Sequence, residues 1–177
     1  MPVSKLEQSN DTRVFRLLQK MGDIPDPDTT LTPNEKQAIR DTWKEIYANR
    51  KENGVALLLR LFSEYPETKQ RFKNLKFLDD LEKLGKHPTM KAHAFRVMAS
   101  LNSLVETLDD AEVLVELLVN LGRTHKVKNV TESDFDKLGV VAIWLVENKS
   151  GSSYTEYAKA AWIKAWGVIQ SVIVKEL

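Results

Sequence analysis

The 177-residue chain contains no cysteine. Disulfides, thiolate nucleophiles and cysteine-ligated metals are therefore excluded. Glycine is scarce, at seven residues. The chain spells no Walker loop, no dinucleotide fingerprint and no glycine-rich oxyanion loop. Charge of one sign is also missing: 26 basic side chains stand against 25 acidic ones, a net charge of +1. That balance argues against an electrostatic grip on nucleic acid. No apolar run approaches the length of a membrane span, and the opening Met-Pro-Val-Ser-Lys has no signal-peptide core. Pro2 removes the glycine that myristoylation requires. The expectation is a soluble, cytoplasmic protein of one domain, long enough to bury a real core.

What is present is helical periodicity. Residues 1–30 are expected to form an extension, with a short helix (Val14, Phe15, Leu17, Leu18, Met21 on one side) and an extended linker over Asp23–Thr30. From residue 31 onward the pattern is that of a helical domain. Thr32-Pro-Asn-Glu35 has a threonine cap, a first-turn proline and a glutamate three residues after the cap. Ile39, Trp43, Ile46 and Tyr47 make the buried side of the helix that follows. Arg50–Gly54 reads as an interruption, and Val55, Leu58, Leu59 and Phe62 carry the next helix. Pro66 restarts the chain in a short helical turn, and a further short helix is expected around Asp79–Gly85. Two longer helices follow, one opening at Pro88 and one favoured by the carboxylates of Asp109 and Asp110. Thr131–Asp134 and Ser153–Glu156 read as the caps of the last two. No strand pattern of length occurs, so the fold class is all-α, with seven to eight helices.

Two of these helices carry a polar intruder. Met90, Ala94, Val97, Met98, Leu101, Leu104, Val105 and Leu108 form one apolar face, and His93 lies on it. Leu114, Leu117, Leu118 and Leu121 form another, and His125 ends it. A single histidine on an apolar face is ordinarily a core residue satisfied by a carbonyl or water. Two histidines alone also specify a metal poorly, since zinc takes four ligands and no H-E-x-x-H or carboxylate cluster supplies the rest. A haem alters this requirement. Its porphyrin supplies four nitrogens, so the protein needs only an axial histidine, an apolar slot and control of the far side.

The ordered landmarks of the chain carry a family resemblance. They are Asp41-Thr-Trp-Lys-Glu-Ile-Tyr47 with Trp43, Asn53-Gly-Val-Ala-Leu-Leu-Leu-Arg-Leu-Phe62, Tyr65-Pro-Glu-Thr-Lys-Gln-Arg-Phe72, Lys91-Ala-His93 and Leu121-Gly-Arg-Thr-His125. His93 follows Phe72 by 21 residues and precedes His125 by 32. From residue 31 to residue 177 the chain resembles a globin, with a pattern closest to the cytoglobin-like intracellular animal globins. The resemblance implies a three-over-three helical sandwich around haem b (iron protoporphyrin IX). It makes His125 the proximal iron ligand, with Leu121 the carbonyl that fixes its ring, and His93 the distal residue. Phe72 is then expected to stack on the porphyrin, Leu58, Leu75 and Val97 to bound the gas side, and Leu121, Val130, Phe135 and Leu138 to line the proximal and inner edges. Arg96 is expected beside a haem propionate. Asn129 stands where many relatives have a histidine, and the cytoglobin cysteine positions fall on Arg50 and Phe95. The implied ligands are oxygen, carbon monoxide and nitric oxide. The implied function is reversible gas binding for storage, transport or sensing, with or without a six-coordinate state in which His93 binds iron. The alternative is a redox enzyme, such as a nitric oxide dioxygenase or nitrite reductase, served by an external reductase. The chain is compatible with a monomer or a homodimer.

Overall fold

The computed structural model describes residues 22–177, and the short helix expected before Gly22 lies outside the described residues. Seven α-helices follow: α1 Pro33–Ala48, α2 Arg50–Glu64, α3 Leu81–Lys86, α4 Pro88–Glu106, α5 Ala111–Lys126, α6 Glu132–Lys149 and α7 Glu156–Ile173. Short 3₁₀ helices at Pro66–Arg71, Gly151–Ser153 and Val174–Glu176 join or end them. Among the described residues there is no strand, and no helix is long and apolar enough to cross a membrane.

The helix starts follow from local hydrogen bonding. At α1 the Thr32 hydroxyl accepts from the Glu35 N–H at 3.2 Å, while the Glu35 carboxylate accepts from the Thr32 N–H at 2.8 Å. This reciprocal cap satisfies two backbone donors that the first turn leaves unpaired. Asp80 caps α3 and Asp110 caps α5. A histidine caps α4, where His87 Nδ1 accepts from the Thr89 N–H at 3.2 Å.

Three sequence expectations are corrected. The break between the first two helices is confined to Asn49, and Arg50–Gly54 forms the first turns of α2. The last long helix is capped by Thr155, whose hydroxyl accepts from the Ala158 N–H at 3.0 Å, because Gly151–Ser153 is already a 3₁₀ turn and Tyr154 is extended. The expected linker is a compact turn against the domain. Asp26 accepts from the N–H groups of Asp28 and Thr29 at 3.0 and 2.8 Å and pairs with Lys36 at 3.1 Å, leaving Thr29 and Leu31 buried. An aspartate bonded to its own backbone two and three residues on makes a turn, and the prolines around it do not oppose that.

The helices pack in two layers, α1, α4 and α5 over α2, α6 and α7, with α2 against α4 and α1 against α7 among the contacts between them. Ile39, Trp43, Ile46, Leu57, Leu58, Met90, Met98 and Trp162 belong to the larger core cluster. The indoles of Trp43 and Trp162 reach partners there: Trp43 donates to Asn102 Oδ1 at 3.0 Å and Trp162 to the buried Thr42 hydroxyl at 2.8 Å. Two glycines set how closely helices approach. A Cβ at Gly54 would lie 2.7 Å from Met98 Cγ and 3.0 Å from the Ala94 carbonyl oxygen, so only glycine lets α2 cross α4 at this distance. At Gly139 the Trp166 indole of α7 fills the space a Cβ would need. The Gly54 crossing brings the Ala94 turn of α4 close to α2 and so places His93, the preceding residue, beside the mouth of the core.

Candidate functional site

A cavity of about 300 Å³ opens between α4 and α5 and is closed at the back by α2 and α6. That is the lower end of the range for sites that hold a small molecule. Leu58, Leu61, Phe72, Val97, Val130, Phe135 and Leu138 give it apolar walls, and His93 and His125 both face into it. Of the residues the sequence pointed to, Leu58, Phe72, His93, Arg96, Val97, His125, Val130, Phe135 and Leu138 all line this one space. Two do not. Leu75 is fully buried in the core beneath the corner that follows Phe72, and Leu121 packs into the second core cluster. What Leu121 contributes is its backbone carbonyl.

His125 sits in the last turn of α5. Its Nδ1 lies 2.8 Å from the Leu121 carbonyl oxygen, and its ring meets Phe135 edge-on with centroids 5.4 Å apart. A bond from Nδ1–H to a carbonyl fixes the tautomer and leaves Nε2 with a free lone pair. The chain then turns sharply through Asn129, which adopts a left-handed φ of +56° that asparagine tolerates better than most residues. This turn brings Val130 to the cavity wall and delivers the chain to α6.

His93, on α4, is held differently. The Phe72 ring stands nearly perpendicular to it with centroids 4.8 Å apart, and its ring has no hydrogen-bond partner among the described residues. Burial, reinforced by the charges of Arg96 and His125, pushes its pKa down to about 4. At neutral pH the ring is therefore uncharged and carries an unprotonated nitrogen.

The rim is polar and was only partly legible. Arg96 and Lys128 line it from the α4 side and the α5 corner, and neither has an ion-pair partner among the described residues. Arg71 lines it too, but is bound through Nε and a terminal nitrogen to Asp134 Oδ2, at 3.1 and 3.0 Å. Thr68, Thr124 and Asp134 complete the lining. Sequence reasoning missed Arg71, because it falls in a landmark read for its proline and phenylalanine. It took Asp134 for a helix cap alone, and Asp134 does accept from the Thr131 N–H and hydroxyl at 2.8 and 2.9 Å.

Among the described residues no three histidines, aspartates or glutamates cluster to hold a metal ion. The family model described as Globin matches residues 55–173. The chain belongs to the globin family. Its relatives include cytoglobin-1 of Oryzias latipes, 32% identical over 145 residues that span 81% of this chain and 79% of the relative. Cytoglobin-1 of Danio rerio is 33% identical, over 81% of this chain and 83% of its own length. Neuroglobin of Danio rerio is 27% identical, over 82% and 91%. Among solved structures, a Drosophila melanogaster globin superposes with a TM-score of 0.76 at 24% identity, covering 82% of this chain and 94% of that one. The hexa-coordinate haemoglobin of the same organism gives 0.77 at 23% identity, over 83% and 95%. The two-layer helical arrangement is the globin fold.

As a globin the protein is a haem-binding protein. The residues present fit that group. The walls are apolar, one imidazole is oriented by a carbonyl and offers a lone pair, a second is uncharged, and Arg96 and Lys128 at the rim are cations without an ion-pair partner among the described residues, available to a carboxylate of the group.

Proposed function

We propose that this globin holds haem b through His125 and binds oxygen, carbon monoxide and nitric oxide reversibly on the His93 side. When bound, the group would supply an iron able to take up a diatomic gas, with His125 as the residue that would hold it. The observation that carries the reading is the pair of histidines on separate helices facing one apolar cavity, with His125 alone tied to a backbone carbonyl. The tie holds the His125 ring in one tautomer and one orientation, as a permanent ligand requires. The free His93 ring can donate to a bound gas from its protonated nitrogen or offer its lone pair to the metal. Leu58, Phe72, Val97, Phe135 and Leu138 exclude water and supply the apolar contact that retains the group, at about 25 cal/mol per Å² buried. Arg96 and Lys128 would be the partners of the group's carboxylates at the rim.

Among the described residues no hydrogen bond restrains His93, so its free imidazole would be available as a second ligand to the group in the resting protein. Exogenous gases then compete with His93, and their apparent affinity is lowered by the fraction of time the site is open. An absorption spectrum of the purified ferrous protein tests both statements. Split, sharp visible bands without added ligand are expected. A single broad band would remove His93 from the iron, and failure to take up haem would remove the cofactor assignment itself.

A further inference from the structure

The 3₁₀ helix Pro66–Arg71 is fastened to the start of α6 at two points. Arg71 binds Asp134 through two nitrogens, as described. One turn further along α6, Lys137 lies 2.8 Å from the Glu67 carboxylate and 5.9 Å from the centre of the Tyr65 ring. The Asp134 side chain is only 11% exposed, and it is locked by Thr131, so Arg71 meets an anion that is already fixed in place. The residue after Arg71 is Phe72. Its ring touches two others, Phe62 at 5.1 Å and His93 at 4.8 Å, both edge-on. A continuous series of contacts therefore runs from the α6 terminus, four residues beyond the corner at Val130, to the imidazole on the opposite wall.

We propose that the Arg71–Asp134 and Glu67–Lys137 pairs form a latch that positions Phe72 and thereby sets how readily His93 moves aside for an incoming ligand. This inference rests on the haem-binding reading above. Arg71 and Asp134 line the same cavity as His93, but the ring in contact with His93 is that of Phe72, so both pairs are assigned as positioning residues acting through Phe72. A 3₁₀ helix of six residues is weakly held by its own hydrogen bonds; local backbone bonds hold Phe72 in the turn that follows it, and the two pairs tie the helix as a whole to α6. Paired, the helix keeps the Phe72 ring against the imidazole. Released, Phe72 gains freedom and His93 loses the wall that holds it. The pairs are partly exposed, which makes the latch sensitive to ionic strength.

The test measures carbon monoxide association with the ferrous haem protein, which responds to His93 whether it binds iron or only obstructs the site. Arg71→Met keeps the aliphatic stem and removes the pair; association is expected to quicken by about threefold, the size of one well-placed ion pair. Arg71→Lys should restore part of the native rate, and Glu67→Gln should add to the effect of Arg71→Met. Raising salt should quicken the native protein and leave the Arg71→Met, Glu67→Gln double variant unmoved. In a His93→Leu background the Arg71→Met change should have no effect on the rate. Equal rates in the native and Arg71→Met proteins would overturn the latch. So would an effect that persists without His93. Loss of haem from Arg71→Met with an unchanged rate in the fraction retained would make Arg71 a cofactor contact instead. If the native protein takes up no haem, the underlying reading fails and the latch with it.

Discussion

His125 Nδ1 and the Leu121 carbonyl oxygen lie 2.8 Å apart, one helical turn along the same face of α5. The helix thus satisfies one imidazole nitrogen internally and turns the other toward the cavity. The Thr124 hydroxyl donates to the same Leu121 carbonyl at 2.9 Å, while the other histidine of the cavity, His93, has no such tie among the described residues.

Replacing His125 by alanine should therefore cost the protein its haem. The apolar walls remain, so weak and disordered retention is expected, with loss to an acceptor protein faster by orders of magnitude. Haem transfer to apomyoglobin in excess measures this. Retention at the native rate with an unchanged spectrum would refute the proximal assignment.

His93→Leu should keep haem, since the wall stays apolar and His125 is intact. Oxygen is expected to leave faster, because a hydrogen bond of about 1 kcal/mol is lost, a factor of about five. The visible bands should collapse to the broad single form. Stopped-flow release and a ferrous spectrum check both, and two unchanged values would remove His93 from the distal role.

Gly139→Ala should destabilise the fold. The added methyl would enter the space of the Trp166 indole, and both helix backbones are fixed by packing on several sides. Overpacking of this kind costs about 1–3 kcal/mol. The Trp166 N–H is itself buried without a partner among the described residues. Trp166→Phe is accordingly expected to cost less than an ordinary loss of core volume, because it also removes an unsatisfied donor. Chemical denaturation of the two variants gives the comparison.

Asp26→Asn tests the N-terminal turn through pH. The Thr29 N–H, chiefly, and the Lys36 ammonium hold the Asp26 carboxyl down from 3.8 to about 2. A lowered folded pKa stabilises the fold above the unfolded value and is lost as pH falls through the folded one. At pH 7 the variant should be less stable by about 1 kcal/mol, the margin by which a hydrogen bond to a charged acceptor exceeds one to a neutral amide. The difference should shrink between pH 3.8 and about 2. A gap that stays constant across that range would mean that the carboxylate charge contributes nothing.

The two histidines could be read from the chain because apolar periodicity reports which way a helix faces, and the lining residues followed from the family resemblance. His93 and His125 each interrupt a stripe, and a stripe points inward; nine of the anticipated lining residues indeed share one cavity. Leu75 and Leu121 show where that reasoning stops. Both were expected at the site from the resemblance, and a position matched in sequence does not separate a side chain in the core from one on the cavity wall. The Arg71–Asp134 pair was invisible for a different reason: its partners are 63 residues apart, and only the packing of a 3₁₀ helix on α6 brings them together. The turn at Asp26–Leu31 was misread because prolines and aspartates spell a linker and a tight turn alike.

That turn changes what counts as the domain. Thr29 and Leu31 are each 1% exposed, and Lys36, itself buried, divides its charge between Asp26 and Asp109 of the α4–α5 corner. A shortened chain begun at the first helix would strip a wall from the core and leave a buried ammonium with half its counter-charge. Any truncation meant to isolate the haem-binding unit should therefore begin no later than Asp23, whose carboxylate accepts the Asn34 N–H at 3.0 Å.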